Sequence, residues 1–235
     1  KPRKMKRKIC IVTNSLLGLY KFRKELLIEL SEKNELDILT PSQEYYDYFE
    51  SLGVHVILYE YEPRDKSITK NLKLILYYLK HFKLKQYDLA LTYTLKPNVF
   101  AGIAARLTRT PYISTITGLG SELGNGKAKM LIFLHKFALK HAEYIVFQNK
   151  NDSKFFEEKK INAKNKLIVN GSGVNLDEFR LKPYPKNAPT FIFVGRIIKE
   201  KGIELFLKLA NYAKKKYSNV NFEVYGELSE EYRKE

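Results

Sequence analysis

The chain has 235 residues, 44% of them hydrophobic and 29% charged. That is ordinary globular composition with enough apolar mass for a sizeable core, and it excludes a wholly disordered or collagen-like chain. No segment approaches ~20 consecutive apolar residues, which excludes a bilayer-spanning helix, and the net charge of +16 directs attention to polyanions: nucleic acid, an anionic membrane face or phosphorylated substrates.

The charge is uneven. Residues 1–188 carry 33 basic and 19 acidic side chains, a surplus of 14, whereas residues 189–235 carry 9 and 7. Six of the first eight residues are Lys or Arg. A solvated basic surface explains the surplus as well as a polyanion partner does. No secretory leader is expected, because no long apolar region with a small-residue cleavage site follows the basic start. Cys10, the one cysteine, sits in an apolar run, which predicts a buried thiol in a reducing compartment.

Residues 9–12 form a short apolar run rich in β-branched side chains, the pattern of a strand buried on both faces of a parallel sheet. Helical spacing of Phe22, Leu26, Leu27 and Leu30 predicts a helix over 19–30. Strands follow at 36–39 and 54–58, separated by a helix that starts near Pro41 and carries Tyr46 and Phe49. A long helix over 67–82 sets Leu72, Leu76 and Leu79 on one stripe. Then come a strand at 89–91, a helix with Pro97 in its first turn, a strand at 112–116 and a loop punctuated by Gly118, Gly120, Gly124 and Gly126. A helix over 127–141, a strand at 144–147, a short helix and a strand at 167–169 complete the series. This alternation predicts a Rossmann-like, doubly wound α/β sheet. Residues 182–189 hold three prolines, and the rhythm then restarts with a strand at 190–194, a helix at 202–216 and a strand at 221–225. The restart reads as the opening of a second α/β domain, with extension of the first sheet as the alternative.

Ligands of open α/β sheets lie beyond the carboxyl ends of the strands, which selects four loops. After the first strand, Gly18 permits a tight turn near a helix N-terminus, with Arg23 one turn inside. After the fourth strand, Lys96 and Asn98 stand at a helix start, where an ammonium and free backbone N–H groups suit a phosphate. After the fifth, Thr117, Gly118 and Gly120 offer a hydroxyl and close backbone approach, with Ser121 and Glu122 beyond. In the second part, Gly195, Arg196, Lys201 and Gly202 bracket a strand-to-helix turn: a bidentate guanidinium, a point charge and a helix start together suit a diphosphate. Each loop also fits an ordinary turn with solvated polar residues. The helix over 127–141 joins four lysines to a Met130, Phe133, Leu134, Phe137 stripe, read either as core-facing or as a membrane-interface helix. His55, His81, His135 and His141 show no metal-ligand spacing, so no structural zinc is expected.

The segments Tyr93-Thr-Leu-Lys-Pro-Asn98, Pro111 through Gly120, Val169-Asn-Gly-Ser-Gly-Val-Asn-Leu-Asp-Glu-Phe179 and Phe193-Val-Gly-Arg-Ile-Ile-Lys-Glu-Lys-Gly202 together resemble the family 4 glycosyltransferases of GT-B fold, of the bacterial capsule, O-antigen or lipid-linked oligosaccharide type. The resemblance implies retaining, metal-independent and cofactor-free transfer from a nucleotide sugar, UDP-linked, to a membrane-linked glycan at the cytoplasmic face of the membrane. Arg196 and Lys201 would stabilise the departing diphosphate, with Gly195 and Gly202 beside them. Gly18, Arg23, Lys96, Asn98, Thr117, Gly118 and Gly120 would face the acceptor, and basic residues of the first domain would dock on anionic lipid. It divides the chain into an acceptor-side domain (1–181), a linker (182–189) and the start of a nucleotide-sugar domain (190–235). Two departures stand out. Thr117-Gly118 occupies a loop where many relatives carry His, and the family's paired glutamates would fall beyond residue 235, so this stretch alone is expected to turn over little. The competing readings are a non-catalytic binding module that needs a partner chain, and a nucleic-acid binder, for which no recognition signature is present.

Overall fold

The computed structural model describes residues 6–61, 67–118, 128–184, 188–228 and 232. The chain divides into two compact units, Lys1–Asn175 and Leu176–Glu235.

The first unit is a seven-stranded parallel sheet. Its strands are β1 (Arg7–Val12), β2 (Asn34–Thr40), β3 (His55–Leu58), β4 (Leu89–Tyr93), β5 (Tyr112–Ile116), β6 (Tyr144–Phe147) and β7 (Asn165–Ile168), in spatial order β3-β2-β1-β4-β5-β6-β7. The connecting helices are α1 (Leu16–Lys33), α2 (Tyr46–Ser51), α3 (Ile68–Lys85), α4 (Leu95–Thr108), α5 (Ala128–Leu139) and α6 (Lys150–Glu158). Every expected element of the doubly wound sheet is present. Side chains of β1 alternate between two cores, as a two-residue period requires. Ile9 and Ile11 join Leu16, Leu19 and Leu27 of α1 and Phe49 of α2 on one face. Cys10 and Val12 join Tyr78, Phe82, Val99, Ile103, Leu139 and Phe156, from α3 through α6, on the other. The chain winds outward from β1 in one direction and from β4 in the other, so the β1/β4 junction is the topological switch point where such sheets open a crevice.

Local chemistry sets the helix starts. Ser15 Oγ accepts from Gly18 N at 3.0 Å, and Asn149 Oδ1 accepts from Asp152 N at 2.8 Å, each answering a backbone donor that the helix leaves unpaired. From Pro97 to Ala105, α4 is buried on all sides. Its small residues allow this: a Cβ on Gly102 would stand 3.4 Å from Ala138 of α5, so the two helices pack almost backbone to backbone.

Two apolar stripes face differently from expectation. In α3 the buried residues are Leu74, Tyr78 and Phe82, while Leu72 and Leu76 are exposed. In α5 the core side is His135, Ala138 and Leu139, with Leu134 partly buried against it; Met130, Phe133 and Phe137 are exposed, which corrects the core-facing reading for three of the four stripe residues. Both helices pack chiefly against a third helix, α4, and the buried arc of each turns toward it.

The second unit contains β8 (Thr190–Val194), a 3-10 turn (Lys199–Lys201), α7 (Ile203–Lys216) and β9 (Asn221–Tyr225). β8 and β9 pair in parallel as a separate two-stranded sheet rather than extending the first. Phe191, Phe193, Phe206 and Phe222 form a ring cluster, with Phe191 stacked on Phe222 at 5.2 Å. Ile203 is the only buried residue among those described in this unit.

Burial holds His135 below the imidazole's usual 6.5, although its Nδ1–H donates to the Leu131 carbonyl at 2.8 Å. Burial lowers His81 too, against the opposing charge of Asp37. Below about 6.5 the unfolded chain takes up protons that these folded imidazoles refuse, so stability is full above that value and falls as pH drops through it. The thermal midpoint is therefore expected to fall between about pH 7 and about pH 5. His135→Leu should flatten part of that fall, leaving the His81 share. An unaltered slope in the variant would show that His135 is not the group that titrates.

Candidate functional site

A cavity of about 350 Å³ opens at the switch point, wholly within the first unit. Its floor is built from the first residues past successive parallel strands: Thr13 after β1, Thr94 after β4, Thr117 after β5 and Gln148 after β6. Ser172 closes the far side, where Gln148 Nε2 donates to its hydroxyl at 2.8 Å. The start of α1 supplies Ser15, Gly18, Leu19, Phe22 and Arg23. Arg23 lies over the Tyr93 ring, 5.3 Å from its centroid, and is the one charged side chain among the described lining residues. Burial raises the Tyr93 phenol, and Arg23 opposes that shift. The result is an apolar wall with a ring of hydroxyl and amide groups and one guanidinium, suited to a neutral polyhydroxylated ligand.

Thr94 is held in an unusual state. Its φ of 72° with ψ of 164° is a region that glycine occupies readily and β-branched residues avoid, at a cost of about 1–3 kcal/mol. Its hydroxyl is buried and has no partner among the described residues, and it does not cap α4. Strain together with an orphan hydroxyl in a cavity wall is characteristic of a binding position rather than a packing one.

The scaffold behind Thr94 is Asn98. It is 1% exposed; its carboxamide oxygen accepts from Thr92 Oγ1 at 2.7 Å and its nitrogen donates to the Thr115 carbonyl at 2.9 Å. Thr92 Oγ1 also pairs with Ser114 Oγ at 2.8 Å. Asn98 thus ties β4, α4 and β5 together, and its burial, not a lack of hydrogen-bonding capacity, keeps it from a ligand.

Of the residues singled out in the sequence, Gly18, Arg23 and Thr117 come together in the cavity. A Cβ on Gly18 would meet only Ser15, at 3.6 Å, so its absence simply enlarges the opening. Lys96 points elsewhere, its Nζ donating to Tyr61 Oη at 2.8 Å. Gly118 follows Thr117 with a positive φ of 134° and faces open space. Gly120, Ser121 and Glu122 lie outside the described residues. Thr13, Thr94 and Gln148 escaped the sequence reading, although the first residue past each strand of a parallel sheet is a position the pattern itself marks.

Gly195, Arg196, Lys201 and Gly202 belong to the second unit. The β8 ladder continues past its end: Gly195 N donates to Tyr225 O at 3.0 Å and Ile197 N to Glu227 O at 2.9 Å. Lys201 closes the 3-10 turn, and Gly202, at φ 81°, ends it and opens α7. Neither Arg196 nor Lys201 makes a side-chain hydrogen bond or ion pair among the described residues, and both are exposed. Gly226, unremarked in the sequence, is demanded sterically, since a Cβ there would overlap the Gly195 carbonyl oxygen, leaving the turn no room to shift.

Residues 8–149 match the family model described as Glycosyl transferase 4-like, and residues 175–235 match that described as Glycosyl transferases group 1. The chain is 25% identical over 230 residues to the N,N'-diacetylbacillosaminyl-diphospho-undecaprenol alpha-1,3-N-acetylgalactosaminyltransferase of Campylobacter jejuni, covering 89% of this chain and 61% of that protein. It is 25% identical over 163 residues to the UDP-Gal:alpha-D-GlcNAc-diphosphoundecaprenol alpha-1,3-galactosyltransferase of Escherichia coli, covering 63% and 42%. The fold is similar to the crystal structure of Anabaena HepE in complex with UDP and glucose, with a TM-score of 0.64 at 12% identity over 93% of this chain and 69% of that one. The chain thus spans about three fifths or less of the length of the two curated relatives.

Asn98→Ala is expected to destabilise the first unit by about 2–3 kcal/mol, because it strands the Thr115 carbonyl and removes an acceptor from Thr92 inside the core. Urea unfolding of the full chain, followed by circular dichroism, measures this. A loss below about 0.5 kcal/mol would show that the amide is dispensable to the scaffold.

Proposed function

Because the chain belongs to the glycosyl transferase 4-like family, we propose that it works as a glycosyltransferase, moving a sugar from a UDP-linked donor to a lipid-diphosphate-linked glycan. The observation that carries this reading is the basic turn from Gly195 to Gly202, which leads a parallel strand into a helix within the segment that matches the group 1 model. The names of the two relatives support the acceptor class, since both describe α-1,3 transfer to a sugar on diphospho-undecaprenol. In the proposed step the bond between the anomeric carbon and the diphosphate oxygen breaks. A bond to an acceptor hydroxyl oxygen forms on the same face, the hydroxyl proton leaves with the departing diphosphate, and the configuration is retained. Negative charge builds on the diphosphate as that bond opens. Arg196 and Lys201, assisted by the α7 N-terminus, would hold it without a metal ion or cofactor. The β1/β4 cavity, with Arg23, Thr94 and Thr117, would receive the acceptor sugar.

We further propose that the first unit docks peripherally on the cytoplasmic face of the membrane. The exposed Met130, Phe133 and Phe137 of α5 alternate with Lys129, Lys136 and Lys140, the composition of a helix lying in an anionic interface. Arg106 braces this surface, with its guanidinium 3.9 Å from the Phe137 ring centroid. Among the described residues, no helix is long and apolar enough to cross a membrane.

In the full-length gene product, Arg196→Ala and Lys201→Ala are each expected to lower kcat by about 100-fold or more, with EDTA leaving wild-type turnover unchanged. Near-wild-type turnover in both variants would sink the diphosphate assignment. UDP binding without any transfer would favour a binding module. In vesicle sedimentation, Phe133→Ser combined with Lys136→Glu should weaken binding to phosphatidylglycerol vesicles by roughly tenfold or more and leave the weak binding to phosphatidylcholine alone. Equal binding by wild type and variant would remove α5 from the membrane contact.

A further inference from the structure

The carboxyl end of β3 opens into a second cavity, of about 640 Å³, that none of the sites above uses. Three tyrosines form its wall. Tyr59 lies 6.4 Å from Tyr61 and 5.2 Å from Tyr77 between ring centroids, with interplanar angles of 46° and 43°, so the two neighbours tilt about the central ring. Glu60, Lys70 and Lys73 stand at its rim, all three exposed.

The protein fixes two of these rings through their hydroxyls. Tyr59 Oη pairs with the fully buried Tyr78 Oη at 2.5 Å. Tyr61 Oη donates to Asn71 Oδ1 and accepts from Lys96 Nζ, both at 2.8 Å. Lys96 Nζ also lies 5.0 Å from the Tyr61 ring centroid and Tyr77 stacks on His81, so the rings are pre-set with only part of their surface turned to the cavity, and pre-set rings lose little entropy on binding. Tyr77 Oη makes no hydrogen bond among the described residues and remains available. Lys96 thus acts on this second opening rather than the first. From the first turn of α4, two residues past Thr94, it clamps the wall of the neighbouring cavity on the same sheet edge.

We propose that this cavity is a carbohydrate subsite, holding a sugar ring of the acceptor glycan beside the β1/β4 cavity; the assignment rests on the glycosyltransferase reading. A pyranose presents an apolar C–H face and a rim of hydroxyls. Aromatic faces match the first, and a rim bearing both a carboxylate and ammonium groups matches the second, since hydroxyls donate to Glu60 and accept from Lys70 and Lys73. A phosphate alone would leave the rings unused and meet Glu60 unfavourably; an alkyl chain would leave the Glu60 carboxylate and the Lys73 ammonium unmatched.

The decisive experiment uses the 235-residue chain and saturation-transfer NMR with the methyl α-glycosides of N-acetylglucosamine and N-acetylgalactosamine. Glycosides of this size should bind with Kd of roughly 1 mM. Tyr77→Ala should weaken binding about tenfold and Tyr77→Phe, which keeps the ring face, only slightly. Glu60→Ala, at an exposed position that cannot unfold the core, should weaken it a few-fold. Three results would overturn the subsite: no saturation transfer in the wild type, binding that is the same in Tyr77→Ala and Glu60→Ala, or displacement of the glycoside by inorganic diphosphate. Transfer by the full-length gene product with no glycoside binding here defeats the subsite alone. Glycoside binding that follows the tyrosine series, with no transfer, defeats the transferase reading and keeps the carbohydrate assignment.

Discussion

The Asn98 carboxamide is the link on which the working edge of the first unit depends. It accepts from Thr92 of β4 and donates to the Thr115 carbonyl of β5 from inside the first turn of α4, so three elements meet on one buried side chain. Because that side chain is fully enclosed, its two bonds cannot be exchanged for water without opening the core. The backbone between β4 and α4 must then turn in the space of one residue, and Thr94 absorbs the turn in a conformation that its own side chain disfavours. Buried α4, with its small residues against α3 and α5, supplies the rigidity that sustains this strain.

The two cavities at the carboxyl edge follow from the same arrangement. Thr94 faces the opening between β1 and β4, and two residues later Lys96 braces Tyr61 at the end of β3. One short segment therefore shapes both openings from opposite sides. The nearby Cys10 thiol, by contrast, is a core group: burial, then the charge of Asp37, push it well above its ordinary range, so it is inert and takes no part in the edge chemistry.

The second unit repeats the logic with backbone rather than side chains. A glycine-to-glycine approach between Gly195 and Gly226 lets the β8 ladder run on into the turn, so Arg196 leaves the strand at a defined point and Lys201 closes one short 3-10 turn ahead of α7. Two cations and a helix start follow one another without a compensating acid bound to them among the described residues. The proposed diphosphate site draws on this local arrangement rather than on the net charge of the chain.

The sequence by itself determined the element order and the parallel doubly wound class, because strands buried on both faces read as continuous apolar runs, and its loop segments already resembled the family whose model the chain matches. It also placed Gly18, Arg23 and Thr117 at the carboxyl edge of the sheet, where the structure gathers them around one cavity. Only the tertiary structure decided the roles within that edge. Lys96 and Asn98 lie two residues apart, yet one braces a tyrosine wall and the other is locked in the core, because partners at positions 61 and 115 are far away in sequence. The exposed stripes of α3 and α5, the strain at Thr94 and the need for Gly226 have the same origin: each depends on what a distant segment brings alongside, and local periodicity carries no record of a neighbour that only folding supplies.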